Sequence, residues 1–138
     1  MVEQLLPLTL RRGDPALGKQ VFEKNCVVCH RLNGTGGVAG PDLTGFAGGN
    51  REEILVNVLD PNASVEGNFR QFNLEMSDGQ SLSGLLVNET RTTVELLDSQ
   101  GVRHALQRTD IKTLAATTLS LMPEGFEQAL PLPAMADM

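Results

Sequence analysis

The chain has 138 residues, of which 41% are hydrophobic, and this is enough to bury the core of a single domain. Its formal net charge of −6 argues against a nucleic-acid-binding protein, since such binding depends on basic side chains that contact phosphates. No apolar run approaches the roughly 18 residues of a membrane span. No signal peptide is visible either, because Arg11 and Arg12 follow the apolar stretch at residues 5–10 instead of preceding it. We therefore expect a mature protein, or a domain of a longer exported one.

The first predicted helix begins at Pro15 and runs into the two cysteines of the chain. Asp14 can cap its N-terminus, and proline suits the first helical position because it has no backbone N–H to leave unpaired. Four small or apolar residues share one face of this helix: Leu17, Gly18, Val21 and Phe22. We expect this face to pack against another helix or against the group that the cysteines hold.

Cys26-Val27-Val28-Cys29-His30 has the pattern C-x-x-C-H, which is the attachment signature of a c-type haem. Each thiol can add to one vinyl group of the porphyrin, and His30 can then bind the iron. The motif uses both cysteines and so predicts one covalent haem c. The alternatives are a zinc site and a redox dithiol. Zinc needs four ligands, and only His104 remains as a further soft donor, whereas the dithiol needs a βαβ frame that the flanking sequence lacks.

A covalent haem also indicates where the protein works and what it meets. Haem is attached to such motifs outside the cytoplasm, so we expect a periplasmic or otherwise exported protein. Two propionates would add to the charge of −6, which favours a docking partner with a positive patch. The chain has no Trp or Tyr to bind these propionates, and this makes Arg51 and Arg70 candidates for that role.

A glycine-rich loop follows the motif and leads to a second predicted helix. The loop spans residues 34–45 and is a poor phosphate-binding loop, because no Lys-Ser or Lys-Thr pair follows it. The helix is predicted over residues 51–59, with Asn50 as its N-cap and Asp60-Pro61 at its end.

Alternation of apolar and polar residues begins at Phe69 and continues to about Leu106. Turn signals at residues 77–79, 88–90 and 99–101 divide this region into four short strands. We therefore predict a small antiparallel sheet inserted into an otherwise helical protein.

Ser120-Leu121-Met122-Pro123 places a methionine in a short loop after a polar stretch. A methionine thioether is a common sixth ligand of haem iron, and it raises the reduction potential relative to a second nitrogen ligand. Met122 is therefore the predicted sixth ligand. Met76 and His104 are its rivals, but both fall in predicted strands, where Met76 would be core and His104 would be satisfied by a neighbour.

The C-x-x-C-H motif, Gly-Pro-Asp-Leu-Thr-Gly at residues 40–45 and Met122-Pro123 together resemble a class I cytochrome c. The order of these motifs around a β segment is most similar to the planctomycete/verrucomicrobial-type haem-binding domain. The resemblance begins at about Gly13 and extends to Met122 and beyond. Such domains are often found at the C-terminal end of large exported proteins that carry dehydrogenase-like propellers or helical repeats.

The resemblance implies a role for each site residue. His30 and Met122 would be the axial ligands of the iron. The carbonyl of Pro41 would accept a hydrogen bond from the imidazole of His30, orient it and raise its basicity. Leu43 would pack on the haem ring.

The predicted fold is a mainly α, class I cytochrome c-like haem domain with an inserted antiparallel sheet of about four strands. One domain would have four parts: a leader or linker at 1–12, haem-attachment helices and loops at 13–65, the β insertion at 66–110, and the axial-methionine loop with a truncated C-terminal helix at 111–138. A class I fold closes with a C-terminal helix that crosses the first helix, but a helix from Pro133 has only six residues here. We therefore expect an uncovered face on the first helix, and association of the chain with itself or with the larger protein from which it came.

The predicted function is single-electron transfer between a donor and an acceptor protein, with no catalysis by the chain itself. It would serve an exported dehydrogenase or a respiratory chain. A haem-based redox or gas sensor stays open as a second class, in which a diatomic ligand replaces Met122. A peroxidase-like enzyme is a third class, for which the sequence places no distal His or Arg. Binding of carbon monoxide to the reduced protein separates the first class from the other two.

Overall fold

The computed structural model describes residues 2–46 and 48–137. Its helices are α1 Val2–Leu5, α2 Pro15–Asn25, α3 Arg51–Leu59, α4 Phe126–Ala129 and α5 Leu132–Asp137. Its strands are β1 Arg31–Leu32, β2 Thr35–Gly36, β3 Arg70–Met76, β4 Ser81–Glu89, β5 Thr93–Leu97, β6 Arg103–Gln107 and β7 Ile111–Ser120. Short 3-10 helices occur at Leu6–Leu10, Thr44–Phe46, Gly67–Phe69 and Arg108–Asp110. None of the helices in these described ranges is long and apolar enough to cross a membrane.

The prediction of a mainly α domain is wrong. About 36% of the structure is helical and 30% is strand, and the strands form one five-stranded and one two-stranded antiparallel sheet. The large sheet has the order β6-β5-β4-β3-β7. Strands β3 to β6 lie at the four alternating stretches of the sequence, so the sheet is the main architecture of residues 70–120 and not a small addition to helices.

The fifth strand, β7, occupies a stretch that the sequence predicted as a polar loop. Its Thr- and Ala-rich residues do not alternate, and only every third residue from Ile111 onwards is partly shielded from solvent. The partners of β7 on β3 run from Arg70 opposite Ser120 to Met76 opposite Ile111, with register shifts near both ends. Pairing with the free edge of β3 therefore decides the conformation here, because the local pattern is weak.

The large sheet buries one cluster of side chains on each face. Leu74, Val94 and Leu96 are each exposed by 2% or less and form the core of one face. Because neighbouring residues on a strand point to opposite faces, Leu97 belongs to the other cluster, with Leu85 and Ala39. Cys29 packs against this second cluster, which connects the sheet with the cysteine motif.

Both predicted main helices have the predicted starts. In α2, Oδ1 of Asp14 accepts hydrogen bonds from the backbone N–H groups of Ala16 at 2.8 Å and Leu17 at 3.4 Å. In α3, Oδ1 of Asn50 accepts from the N–H of Glu52 at 3.0 Å. Each cap satisfies N–H groups that have no partner inside the helix, and this fixes where the helix begins.

The short C-terminal helix packs against α2, so the expectation that α2 has no cover is wrong in part. The backbone N–H of Asp14 donates to Oδ1 of Asp137 at 2.8 Å, and a Cβ added to Gly13 would lie 2.2 Å from the carbonyl oxygen of Ala136. Val21 and Phe22 are half-buried, whereas Leu17 remains 48% exposed. Six residues are enough to cover part of the face because the two backbones approach closely at glycine.

Arg51 joins both ends of the chain to α3. Its guanidinium donates to the carbonyl oxygens of Thr9 at 3.0 Å, Arg11 at 2.7 Å and Ala136 at 2.7 Å. These carbonyls lie at the C-terminal ends of the N-terminal 3-10 helix and of α5. Carbonyls in that position have no N–H partner within the helix, so the guanidinium supplies one. With three such bonds, Arg51 has a structural role, and the suggestion that it binds a propionate is dropped.

Candidate haem-attachment site

Cys26, Cys29 and His30 lie in a tight turn that continues directly from α2. The N–H of Cys26 donates to the carbonyl of Phe22 at 2.8 Å and closes the helix, and the N–H of His30 donates to the carbonyl of Cys26 at 2.8 Å. Both cysteines are half-buried and neither forms a disulfide. The turn thus keeps the two thiols and the imidazole close together.

The imidazole of His30 has a defined orientation. Its Nδ1 lies 2.8 Å from the carbonyl oxygen of Pro41, which is the contact that the resemblance implied. A carbonyl oxygen can only accept, so Nδ1 is the donor, and in the neutral imidazole this leaves the lone pair on Nε2. An imidazole in this state can bind a metal ion through Nε2, and its hydrogen bond to the carbonyl makes it a more basic ligand.

Gly40 makes room for the ring of His30. A Cβ atom added at this position would lie 2.5 Å from Cε1 and 2.8 Å from Nδ1 of His30. Backbone hydrogen bonds draw the loop against the turn, from Gly37 N–H to the carbonyl of Val27 and from Gly40 N–H to the carbonyl of Cys29, both at 2.8 Å. Only a residue without Cβ permits this approach, so glycine is required here by contact with the imidazole.

A two-residue hairpin that the sequence analysis did not predict supports the loop. Asn33 and Gly34 connect β1 to β2 with φ angles of 51° and 83°, which suit a type I′ turn. The Asn-Gly pair is the sequence signal that could have revealed it. The carbonyl of Arg31, in β1, accepts a hydrogen bond from the N–H of Leu43 at 2.8 Å, and this holds the half-buried Leu43 beside the turn.

Thr44 fixes the end of the same loop. Its N–H and its hydroxyl both donate to Oδ1 of Asp42, at 2.9 Å and 2.6 Å, and its hydroxyl oxygen accepts from the N–H of Asn33 at 2.8 Å. The hydrogen bond from the Thr44 hydroxyl, followed by the one from its N–H, lowers the pKa of Asp42 below its ordinary value. The loop is therefore held to the hairpin by an ionised carboxylate and one threonine.

Met122 is half-buried just beyond the end of β7, and its N–H donates to the hydroxyl of Ser120 at 3.1 Å. Its neighbour Leu121 packs against the cluster of Ala39, Leu85 and Leu97, to which Cys29 also packs. Strand β7 therefore brings the Met-Pro loop to the face of the sheet that meets the cysteine motif. Ligation by Met122 stays a prediction.

The two rival ligands have other partners within the sheet. Met76 packs against the core of Leu74, Val94 and Leu96, as expected for a methionine in a strand. Nε2 of His104 lies 2.8 Å from Oδ2 of Asp98, so this imidazole is paired with a carboxylate. The choice of Met122 over these two side chains stays a prediction.

Comparison with known proteins decides the family. The cytochrome c profile matches residues 15–100, which is more than half of the chain. The chain belongs to the cytochrome c family. Membership of this family implies covalently bound haem c with its iron and supports electron transfer as the general role.

Cytochrome c oxidase subunit 2 of Alkalihalophilus pseudofirmus is similar to part of this cytochrome c. The two are 35% identical over 71 residues, which cover 44% of this chain and 21% of that subunit. The chain thus matches about a fifth of the length of this relative. The similarity supports electron transfer in general terms.

Burial, and then the charge of Cys29, raises the pKa of Cys26, while burial and then the charge of Asp98 raise the pKa of Cys29. A zinc site would need two further ligands beside these thiols. Within residues 2–46 and 48–137, no three His, Cys, Asp or Glu side chains are grouped closely enough to hold a metal ion.

The donors of the motif suit a covalently held haem. Two thiols without a disulfide and an imidazole oriented by Pro41 are the groups that a c-type haem requires. The apolar side chains of the second cluster pack against Cys29 and can cover an apolar ring held there, so the residues present fit haem.

An open cavity of about 430 Å³ lies beside the same cluster. Its lining includes Val38, Phe69, Leu85, Val87 and the cation Arg70, but neither the cysteines nor His30.

Proposed function

We propose that this cytochrome c transfers single electrons through one haem c, held by thioethers to Cys26 and Cys29, with His30 and Met122 as axial ligands. The observation that carries the proposal is the 2.8 Å hydrogen bond from Nδ1 of His30 to the carbonyl of Pro41. It leaves Nε2 as a basic ligand on the residue that directly follows the second cysteine. The haem supplies the redox chemistry when it is bound, and the protein orients and shields it.

The residues of the chain would divide the work of holding the haem as follows. Pro41 fixes the imidazole plane, and Gly40 leaves the space in which it lies. Leu43, held by its backbone bond to β1, would pack on the ring. A thioether from Met122 would raise the reduction potential relative to a nitrogen ligand. Arg70 would face a propionate from its place in the cavity lining.

We also propose that the protein is exported and serves a dehydrogenase or a respiratory chain. The similarity to a subunit named cytochrome c oxidase supports the respiratory role over the matched region. The net charge of −6 favours partners with a positive docking surface, because opposite charges increase the rate of encounter. The position of the sheet between α3 and Met122 supports the planctomycete/verrucomicrobial-type domain as the closer assignment.

Attachment is tested by denaturing mass spectrometry of protein matured in a haem-attaching host. The wild type should keep the mass of one haem, because two thioethers survive denaturation. The double variant Cys26→Ala/Cys29→Ala should keep none, and Val28→Ala, inside the same motif, should behave as the wild type. Release of haem into acid acetone, or one zinc per chain, would contradict the proposal.

The sixth ligand is tested by the sulfur-to-iron charge-transfer band of the oxidised protein. Met122→Ala should abolish this band, lower the potential and open the iron of the reduced protein to carbon monoxide. Met76→Ala is the matched control, since Met76 packs in the sheet core, and the band should remain. Loss of the band in Met76→Ala would contradict Met122 as the sixth ligand. Binding of carbon monoxide to the reduced wild type would favour the alternative function, a haem-based gas sensor.

A further inference from the structure

The turn between β5 and β6, residues 98–101, lies against the haem-attachment motif. The thiol of Cys29 donates to the carbonyl of Ser99 at 3.5 Å, and a Cβ placed on Gly101 would be 3.6 Å from the carbonyl of Val28. Cys29 and Ser99 are seventy positions apart in the sequence, and the fold of the sheet places them in contact. The β5–β6 turn is therefore the part of the sheet that borders the second haem-bearing cysteine.

A carboxylate is held in this turn by three hydrogen bonds. Oδ1 of Asp98 accepts from the N–H groups of Gln100 and Val102, both at 2.9 Å, and Oδ2 lies 2.8 Å from Nε2 of His104. The bond to His104, followed by the backbone bond from Val102, lowers the pKa of Asp98, so the group is ionised at neutral pH. Its side chain is 25% exposed, so salt screens part of its charge and the effect on a nearby group is largest at low ionic strength.

Asp98 directly precedes Ser99, whose carbonyl oxygen lies 3.5 Å from the sulfur of Cys29, so the charged residue belongs to the part of the turn that contacts the motif. A negative charge beside a haem favours the more positive of its two oxidation states, which is the ferric one. In the same hairpin Arg103 pairs with Glu95 at 2.8 Å, so the charge of that glutamate is balanced by a guanidinium. Asp98 pairs instead with the imidazole of His104, which carries a charge only when it is protonated.

We propose that Asp98, held in the β5–β6 turn beside Cys29, is a positioning residue that lowers the reduction potential of the haem. The proposal rests on the proposed function, because it assumes a haem at Cys26 and Cys29. It gives the sheet a part in the redox function: the sheet carries a fixed charge to the edge of the haem.

The test is a redox titration of haem-loaded Asp98→Asn at low ionic strength. Asparagine keeps Oδ1 for the two backbone N–H groups, removes the charge and presents an NH2 group to Nε2 of His104 in place of Oδ2. At a fixed potential the ratio of ferrous to ferric protein should rise by about two-fold to ten-fold, and ten-fold corresponds to about 59 mV for one electron. Asp98→Glu, which retains the charge, should stay within about two-fold of the wild type.

Asp78→Asn is the matched control, because Asp78 accepts the same kind of bond from Gln80 N–H at 2.9 Å, but in the β3–β4 turn. It should leave the potential unchanged. A haem-loaded Asp98→Asn protein with the wild-type potential, or equal shifts in Asp98→Asn and Asp98→Glu, would overturn the role of Asp98 alone. A chain that takes up no covalent haem would overturn the proposed function itself, and this inference with it.

Discussion

The haem-attachment region, residues 14–60, and the sheet region, residues 70–120, are stabilised in different ways. Helix caps and backbone hydrogen bonds between turn and loop hold the first region. Among its described residues, Ala39 and Leu55 are the buried hydrophobic ones. The second region has a core of leucine and valine side chains with 2% exposure or less. Burial of apolar surface therefore stabilises mainly the sheet, whereas the haem-attachment region depends more on hydrogen bonds and on its contact with the sheet through Ala39 and Cys29.

The largest expected effect is a loss of stability in the sheet that leaves the haem-attachment region unchanged. Leu96→Ala removes a side chain with 0% exposure and should lower the free energy of unfolding by about 2–5 kcal/mol, because a cavity is left in the sheet core. Urea denaturation of the haem-loaded protein measures it, and the haem absorption bands of the folded protein should not change. Leu119→Ala is the control, since Leu119 is 46% exposed in the same sheet, and should cost less than about 0.5 kcal/mol. Altered haem bands in Leu96→Ala would show that the two regions are not independent.

An intermediate effect is expected in the haem-attachment region. Gly40→Ala places a Cβ at 2.5 Å from the ring of His30 and should cost about 1–3 kcal/mol by overpacking. The imidazole must move, so the absorption spectrum and the reduction potential of the haem should both change. Gly45→Ala, in the same loop, meets open space and should leave the spectrum as it is. An unaltered spectrum in Gly40→Ala would mean that the loop yields instead of the ring.

The smallest effect is a change of pKa within the loop. Thr44→Val removes the hydroxyl that bonds to Asp42, so the pKa of Asp42 should rise towards its ordinary value. Because the folded-state pKa of Asp42 is lowered, its contribution to stability is present above the unfolded pKa and is lost as pH falls through the folded pKa. The variant should therefore show a weaker loss of stability in acid. NMR titration of the Asp42 carboxyl carbon measures the pKa, and Thr44→Ser should keep the wild-type value.

Several elements of the haem-attachment region could be predicted from the sequence because short-range interactions determine them. Asp14 and Pro15 mark the start of α2, and α3 spans the predicted residues 51–59. Caps and proline act on groups within a few positions, so their effect is written in adjacent residues. The Asn33-Gly34 hairpin is equally local, and attention to that dipeptide would have predicted it.

The sequence by itself determined the chemistry of this protein, because the two thiols and the imidazole of a c-type haem site are contiguous at residues 26–30. Only the tertiary structure decided what surrounds that site. Strand β7 follows no alternating pattern and forms by pairing with β3, and six residues of α5 cover α2 through a close approach at Gly13. The Ser99 carbonyl reaches Cys29 across seventy positions. Such contacts form between segments that are distant in the sequence. They stabilise the structure, but the pattern of apolar and polar residues within each segment does not reveal them.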